Sequence, residues 1–147
     1  MKTDATLRVC GTEDISAIAE IERECFEDNW TETMLLSEFS RSGFYGLVLE
    51  IQNEIVGYAF ATALFENADL ERIAVKSARR GLGLGGMLLD GLQQGVKALG
   101  AEQLFLEVRP SNTPAVQLYE SRGFFVLRTR PRYYADGEDA VEMKKTL

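Results

Sequence analysis

The chain contains no histidine among its 147 residues. Histidine is the most common general base, and Ser-His-Asp triads, Cys-His pairs and nearly all catalytic zinc sites depend on it. Any proton transfer that this protein catalyses therefore has to use carboxylates, tyrosines, lysines or cysteines. We expect no bound metal for the same reason.

Long apolar runs, a secretion signal and paired cysteines are also missing. No apolar run reaches the roughly 18 residues of a membrane span, and residues 1–5 lack the apolar core of a signal peptide. The two cysteines, Cys10 and Cys25, have neither the spacing nor the partners of a metal site, which favours reduced thiols. We therefore expect a cytoplasmic protein without a membrane partner.

Proline is scarce, and no segment of the chain has the composition of a linker. The three prolines stand at positions 110, 114 and 131, and no internal repeat divides the sequence. Apolar residues make up 46% and charged residues 27% of the chain, which is ordinary for a globular protein. These features predict a single domain over residues 1–147.

Positive charge is limited, because 16 Lys and Arg stand against 23 Asp and Glu and give a net charge of −7. Direct binding of nucleic acid usually requires a basic face, so this balance argues against it. An acidic chain is compatible with a cationic partner such as a basic peptide. The acidic residues that either attract such a peptide or form solvated surface include Glu24, Glu27, Asp28, Glu32, Asp136, Glu138 and Asp139.

Hydrophobic periodicity predicts an α/β domain with the element order β-α-α-β-β-β-α-β-α-β-β. Thr12 and Thr31 are predicted to cap the first two helices, and Gly100 and Gly123 to follow the last two. The predicted strands cover residues 7–9, 44–51, 55–64, 70–75, 104–108, 124–127 and 140–143. Hairpins come first and helical crossovers later, which is typical of a mixed sheet of about seven strands with helices on both faces.

A glycine-rich segment at residues 80–86, Arg-Gly-Leu-Gly-Leu-Gly-Gly, separates the predicted strand 70–75 from an amphipathic helix at 84–99. Glycines adopt positive φ and allow a ligand to come close to the backbone. The free amides and the dipole at a helix N-terminus attract phosphate. The segment therefore predicts a phosphate-binding loop.

Several ligands fit such a loop. A Walker motif is excluded, because Met87 follows the last glycines where Lys and Ser or Thr are required. Gly81, Gly83 and Gly86 satisfy the dinucleotide fingerprint, with Glu107 about twenty residues further on. However, too many strands precede the loop and too few residues follow it for a doubly wound sheet. A glycine turn without a ligand and a coenzyme A site are the two remaining interpretations.

The arrangement of Arg80, Gly83 and Gly85 resembles the pyrophosphate loop of GNAT-type N-acetyltransferases, and further blocks extend this resemblance. Residues 106–124 read Leu-Glu-Val-Arg-x-Ser-Asn and later Leu-Tyr-Glu-Ser-x-Gly-Phe, and residues 132–140 read Arg-Tyr-Tyr, Asp-Gly and Glu-Asp-Ala. Positions 14–21 and 30–32 match more loosely. Over nearly its whole length the chain is similar to the RimI-type ribosomal-protein alanine N-acetyltransferases of bacteria.

The resemblance implies a GNAT fold, acetyl-CoA as co-substrate, and transfer of acetyl to the N-terminal α-amine of a ribosomal protein, small-subunit protein S18. It implies that Glu107 is the general base, that Tyr119 is the general acid and that Asn112 touches the cofactor. The backbone of Ile73, Ala74 and Val75 would hold the pantetheine arm. The residues that would hold the pyrophosphate are Arg80, Gly81, Leu82, Gly83, Leu84, Gly85 and Gly86.

The residues themselves are consistent with this chemistry. A carboxylate is a sufficient base for an α-amine, because a pKa of about 7.7–8.0 leaves roughly a tenth of it neutral at pH 7, whereas a lysine near 10.4 is almost wholly charged. Glu107 interrupts an apolar strand, and it could instead be exposed to solvent or form a salt bridge to Arg109. Tyr119 can also be a core aromatic. We expect direct attack by the amine, without an acetyl-enzyme.

Three aromatic residues near predicted loops, Trp30, Tyr133 and Tyr134, either contact the substrate or serve only in packing. Two functions besides the implied one also stay open. One is acetylation of another amine, such as a lysine, a polyamine, an aminoglycoside or a broader set of protein N-termini. The second is a non-catalytic acyl-CoA-binding module, against which the presence of both Glu107 and Tyr119 argues.

Overall fold

The computed structural model describes residues 4–147. In this part of the chain, the elements follow the order predicted from the sequence. The strands are β1 (Ala5–Val9), β2 (Phe44–Ile51), β3 (Glu54–Leu64), β4 (Asn67–Val75), β5 (Gln103–Val108), β6 (Phe125–Arg130) and β7 (Ala140–Thr146). The α-helices are α1 (Ile15–Cys25), α2 (Glu32–Glu38), α3 (Leu84–Ala98) and α4 (Thr113–Ser121). None of these helices is long and apolar enough to cross a membrane.

The seven strands form one sheet in the order β1-β2-β3-β4-β5-β7-β6. Neighbouring strands are antiparallel except for β4 and β5, which are parallel. Parallel neighbours require a long crossover connection, and α3 provides it. The mixed sheet predicted from the order of the elements is confirmed.

Side-chain alternation in β2 builds one core on each face of this sheet. Leu47 and Leu49 join the core formed with α3, whereas Val48 between them joins the core formed with α1 and α2. β3 follows the same rule, since Ala59 faces α3 and Tyr58 faces α1. The sheet is therefore covered on both faces, as the sequence predicted.

The two predicted threonine caps have different outcomes. Thr31 caps α2, because its side chain accepts a hydrogen bond from the Met34 amide at 3.2 Å. The prediction for Thr12 is wrong, because a 3-10 turn over Thr12–Asp14 precedes α1. The Asp14 carboxylate accepts from the Gly11 amide at 2.8 Å and pairs with Arg8 of β1. This contact with the sheet determines how the helix begins, and the local sequence does not reveal it.

Three strands differ from their predicted limits by three residues at one end, while β1, β3 and β5 begin one or two residues earlier than predicted. β4 begins at Asn67, three residues before the predicted start at 70, β6 covers 125–130, and β7 continues to Thr146. The added residues are mostly polar and lack an alternating apolar pattern. Their conformation comes from pairing, since Lys144 of β7 lies beside Phe105 on one side and Phe125 on the other.

β4 and β5 diverge along their length and open the sheet. Residues 67–69 pair with residues 103–105, but no later residue of β4 pairs with β5 in the described structure. A β-bulge leaves Glu71 without a partner between Leu70 and Arg72, and a bulge bends its strand. The gap lies at the carboxyl ends of both strands, where ligands bind in sheets with crossovers.

Candidate active site

The gap between β4 and β5 contains two adjacent clefts. The first, which we call the glycine-loop cleft, has a volume of about 550 Å³. Of the residues predicted to hold the cofactor, those that line it are Ile73, Ala74, Val75, Arg80, Gly81, Gly83, Leu84, Gly85, Gly86 and Asn112. The side chain of Leu82 is exposed and lies outside this lining.

The backbone of the glycine segment presents unpaired amides to the glycine-loop cleft. Gly81 and Gly83 have φ angles of 80° and 76°, a conformation that strains residues with a side chain. A Cβ at either position would meet no protein atom within 4 Å, so both border open space. The first hydrogen bond of the helix runs from the Met87 amide to the Gly83 carbonyl at 3.2 Å. The amides of residues 84–86 precede it and therefore have no acceptor within the helix. This geometry suits a pyrophosphate.

Arg80 is held at the edge of this cleft by the end of β4 and the end of α1. Its Nε lies 3.3 Å from the Val75 carbonyl oxygen, and its Nη2 lies 3.3 Å from Cys25 Sγ. The thiol itself lies 3.5 Å from the same carbonyl, and burial raises the pKa of Cys25. Cys25 is therefore a neutral part of the wall, while the Arg80 charge is available to a phosphate.

The second cleft, which we call the Glu107 cleft, has a volume of about 340 Å³. The middle of β4, the end of β5 and the loop between β6 and β7 line it. The residues that line both clefts are Phe26, Ile73, Asn112, Ala115 and Tyr119. Because the clefts share these walls, a ligand in one lies beside a ligand in the other.

Glu107 lies near the end of β5, with its side chain in the Glu107 cleft. Its Oε1 accepts a hydrogen bond from the Tyr133 hydroxyl at 3.1 Å, and its Oε2 lies 3.4 Å from Arg130 Nε. The Glu107 carboxylate raises the pKa of Tyr133. The salt bridge to Arg109 that the sequence left open does not form in the described structure, because Arg109 pairs elsewhere. With 31% of its side chain exposed, Glu107 is accessible to a ligand and to water.

Tyr119 of α4 has a packed ring and belongs to the residues that line both clefts. The ring is almost fully buried and lies with its centroid 5.8 Å from that of Phe124. Burial raises the pKa of Tyr119 to about 12, so the phenol keeps its proton at physiological pH. Within residues 4–147 the hydroxyl makes no hydrogen bond, although the residue lines both clefts. This hydroxyl is free to donate to a ligand.

The loop between β6 and β7 brings Tyr133 and Tyr134 to the Glu107 cleft. Arg109 fixes this loop, because its Nη1 lies 2.8 Å from an Asp136 oxygen and 3.0 Å from a Glu138 oxygen. Its guanidinium also stacks 3.9 Å from the centre of the Tyr134 ring. The two tyrosines therefore form a wall of the cleft, and their contact with a substrate stays a prediction.

Phe26 and Arg72 complete the opposite wall, and neither was predicted from the sequence. The Arg72 guanidinium lies 3.9 Å from the centre of the Phe26 ring and 4.7 Å from that of Trp30. Trp30 packs on this arginine and lines neither cleft. Phe26 follows the apolar pattern of α1 and carries no functional signal in the sequence. Arg72 does carry one, because it is a charge within an apolar strand, the same feature that distinguishes Glu107.

The lining of the Glu107 cleft holds three acidic residues and two arginines. Both arginines, Arg72 and Arg109, are paired with carboxylates outside the lining, and two of the acidic residues, Glu71 and Glu107, are likewise paired with arginines outside it. Desolvation raises the pKa of nearby Asp69, and neighbouring carboxylates raise it further. The acidic residues of the lining are Asp28, Glu71 and Glu107.

A sheet that splays beside a glycine-rich helix N-terminus, together with these paired clefts, indicates an acetyltransferase of the GNAT class. The model of the Acetyltransferase (GNAT) family matches residues 15–124, and the chain belongs to this family. The resemblance and the fold inferred from the sequence are confirmed. Acetyltransferases of this family use acetyl-CoA.

Relatives with named activities refine this classification. The chain is 36% identical to a putative [ribosomal protein bS18]-alanine N-acetyltransferase of Bacillus subtilis, covering 100% of this chain and 99% of that one. It is 31% identical to an N-alpha-acetyltransferase of Sulfurisphaera tokodaii, covering 91% and 88%. The crystal structure of the ribosomal-protein-S18-alanine N-acetyltransferase from Escherichia coli superposes with a TM-score of 0.90 at 32% identity, covering 97% and 93%.

Proposed function

We propose that this enzyme transfers the acetyl group of acetyl-CoA to the N-terminal α-amine of a ribosomal protein, the alanine of S18. The observation that carries this proposal is the junction of the two clefts at Tyr119, with Glu107 in the cleft that adjoins the cofactor side. The bacterial relatives supply the acceptor, since their names specify the alanine of S18. A cytoplasmic location stays a prediction from the sequence.

Acetyl-CoA fits the glycine-loop cleft by the chemistry of its lining. The amides of residues 81–86 and the Arg80 guanidinium provide donors and positive charge for the pyrophosphate. The edge of β4 at residues 73–75 lacks a β5 partner in the described structure and provides backbone groups for the pantetheine amides. The side-chain oxygen of Asn112 is already used within the protein, because it accepts a hydrogen bond from the Ala115 amide at 3.3 Å and caps α4.

Glu107 is the base in the proposed reaction. It accepts the proton that the amine loses, directly or through one water, while the amine nitrogen bonds the acetyl carbon and the carbon–sulfur bond breaks. Its exposed carboxylate, held by Tyr133 and Arg130, is ready in the Glu107 cleft before substrate binds. Acetyl-CoA supplies the acetyl group already activated as a thioester.

Tyr119 stabilises the sulfur that leaves. A phenol with a pKa of about 12 is a weaker acid than a thiol, whose ordinary pKa is about 8.5. Tyr119 therefore acts chiefly by donating a hydrogen bond to the developing thiolate, and solvent finally protonates the product thiol. Because the phenol stays neutral, it does not add negative charge next to the leaving group.

The low basicity of an α-amine favours a protein N-terminus over a lysine. Roughly a tenth of an α-amine is neutral at pH 7, so one carboxylate is a sufficient base for it. A lysine amine, with a pKa near 10.4, is almost wholly protonated and would need a much stronger means of losing its proton. A second candidate is a broader set of protein N-termini, because the archaeal relative is named only as an N-alpha-acetyltransferase.

A peptide panel tests this proposal. Purified enzyme and acetyl-CoA are incubated with an S18 N-terminal peptide, the same peptide with a blocked α-amine and a free lysine, and peptides with other first residues. Mass spectrometry of the products should show one acetyl group on the α-amine of the alanine peptide and none on the blocked peptide. Equal acetylation of all first residues would support the broader candidate, and modification of lysine alone would contradict both.

A further inference from the structure

A buried carboxylate in α1 is the centre of a hydrogen-bond network that the proposed chemistry does not use. Glu22 has no exposed surface. Its Oε1 accepts from the Trp30 amide at 2.8 Å and from Arg72 Nη2 at 2.9 Å. Its Oε2 accepts from Arg72 Nε at 3.0 Å and from the Tyr58 hydroxyl. A buried carboxylate is costly unless it is paired, and here donors from β3, β4 and the loop after α1 all converge on it.

Arg72 connects this network to the segment between α1 and α2. Its guanidinium lies between the rings of Phe26 and Trp30, and its Nη2 also donates to the Asp28 carbonyl at 3.2 Å. We call residues 26–30 the acceptor-wall loop, because Phe26 and Asp28 line the Glu107 cleft. Arg72 therefore contacts three residues of this loop while Glu22 holds it in place.

We propose that Arg72, anchored by Glu22, is a positioning residue that sets how the acceptor binds by fixing the acceptor-wall loop against β4. This inference rests on the proposed function, since it takes the Glu107 cleft as the site of the amine. An arginine suits the task because its planar fork pairs with a carboxylate through two donors while its guanidinium also lies against two aromatic rings. A lysine cannot reproduce this arrangement.

A second ion pair, in which a partly exposed arginine meets a buried carboxylate, provides a control. Arg8 of β1 donates through Nη1 and Nη2 to the two oxygens of Asp14 at 2.8 Å, and Asp14 is buried at the start of α1. This pair also joins a strand arginine to a buried carboxylate. Neither residue lines a cleft. Loss of the Arg8 pair therefore measures the general effect of removing such an interaction.

The test compares the double variant E22Q/R72M with the double variant R8M/D14N. Each double variant removes both charges of the pair together, so that neither Glu22 nor Asp14 is left as a buried charge without its arginine. Glu50, which also pairs with Arg8, has a partly exposed side chain. A third variant, Arg72→Lys, keeps the positive charge and the solvation of Glu22 by a cation, but it loses the bidentate fork and the stacking. This variant distinguishes the effect of losing the positive charge from the effect of losing the contacts that fix the loop.

Trp30 provides a readout that does not require turnover, because it is the only tryptophan in the chain. We expect acrylamide to quench its fluorescence more strongly in E22Q/R72M and in R72K than in the wild type, and no change in R8M/D14N. For an S18 peptide, kcat/KM should fall by about 10²-fold in E22Q/R72M, mainly through KM, as for a reactant misplaced by roughly 1 Å. Acetyl-CoA affinity, measured by calorimetry, should change much less.

Unchanged quenching of Trp30, or an unchanged peptide KM, in E22Q/R72M would overturn the positioning role. So would an equal loss of peptide and acetyl-CoA affinity that R8M/D14N reproduces, because that pattern indicates only reduced stability. Failure of the proposed function looks different. In that case the wild-type enzyme acetylates no peptide α-amine, while the fluorescence of Trp30 still reports whether Arg72 fixes the loop.

Discussion

At the scale of single residues, the candidate site combines an exposed carboxylate with a buried phenol. Glu107 is held by Tyr133 and Arg130 at the surface of the Glu107 cleft, where water exchanges readily. Tyr119 is packed on Phe124, and its environment keeps it protonated. The buried phenol of Tyr119 keeps its proton at neutral pH, which suits it to a different role in acetyl transfer from that of the exposed Glu107.

Replacing Glu107 with Gln tests the base. The amide keeps the size of the side chain and a hydrogen-bond acceptor for Tyr133, but it cannot accept the amine proton. We expect turnover to fall by roughly 10²- to 10⁴-fold with little change in acetyl-CoA affinity. Glu120→Gln, an exposed position on α4 outside both clefts, serves as the control. Normal turnover in E107Q would remove Glu107 from this role.

Replacing Tyr119 with Phe tests the hydroxyl alone, because the ring and its packing on Phe124 are retained. Turnover should fall by roughly 10²-fold through loss of one positioned donor to the leaving sulfur. The KM for the peptide should change less than kcat. If Y119F transferred acetyl at the wild-type rate, the leaving group would need another donor.

The same variant makes a prediction about stability in alkali. The pKa of Tyr119 is raised from 10.0 to about 12 in the folded state, so the unfolded chain loses this proton first as pH rises. The contribution of the Tyr119 hydroxyl to the free energy of unfolding is fully present below about pH 10 and is lost as the pH approaches 12. Between about pH 9 and pH 11, the free energy of unfolding in urea should fall about 1 kcal/mol more for the wild type than for Y119F. An equal fall in both proteins would contradict the burial effect.

At the scale of elements, the N-terminus of α3 and the divergence of β4 from β5 together create the cofactor side of the site. The glycine segment provides amides, and the free edge of β4 provides backbone groups. Neither element would be sufficient alone, because one end of the cofactor would lack partners. The β-bulge at Glu71 bends β4 at the point where the strands separate.

Two glycines with positive φ lie at opposite ends of α3. Comparing alanine substitutions at the two positions distinguishes the effect of backbone strain from an effect on ligand binding. Gly83 has φ 76° and Gly100 has φ 104°, and a Cβ at either would meet no protein atom within 4 Å. Gly83→Ala and Gly100→Ala should both lower the free energy of unfolding, by about 1 kcal/mol each. Only G83A should weaken acetyl-CoA binding, measured by calorimetry. Equal affinities in the two variants would count against the loop assignment.

Sequence patterns predicted elements best where the determinants are local. An apolar run followed by a polar turn indicated the limits of β2, and Thr31 indicated the start of α2 through its own side chain. Patterns failed where the determinant is a side-chain contact between two different elements. Asp14 interacts with Arg8 of β1, and Arg72 interacts with Glu22, fifty positions away. The acceptor wall was therefore not visible in the sequence.

At the scale of the whole molecule, the net charge of −7 is consistent with a basic protein as acceptor. The topology explains how distant segments meet. The Glu107 cleft is lined by the loop after α1, by β4, by the end of β5 and by the loop before β7. Because β7 inserts between β5 and β6, that last loop lies beside the end of β5. The family resemblance implied the GNAT fold, whereas the order of the elements predicted only a mixed sheet.

The central claim is that this enzyme acetylates the N-terminal alanine of S18 by means of Glu107. The direct measurement is the intact mass of S18 isolated from cells with the gene, cells without it, and cells that carry only E107Q. We predict that S18 gains one acetyl group on its N-terminus in the first case and lacks it in the other two. Full acetylation of S18 in cells without the gene, or in cells with E107Q alone, would contradict the account.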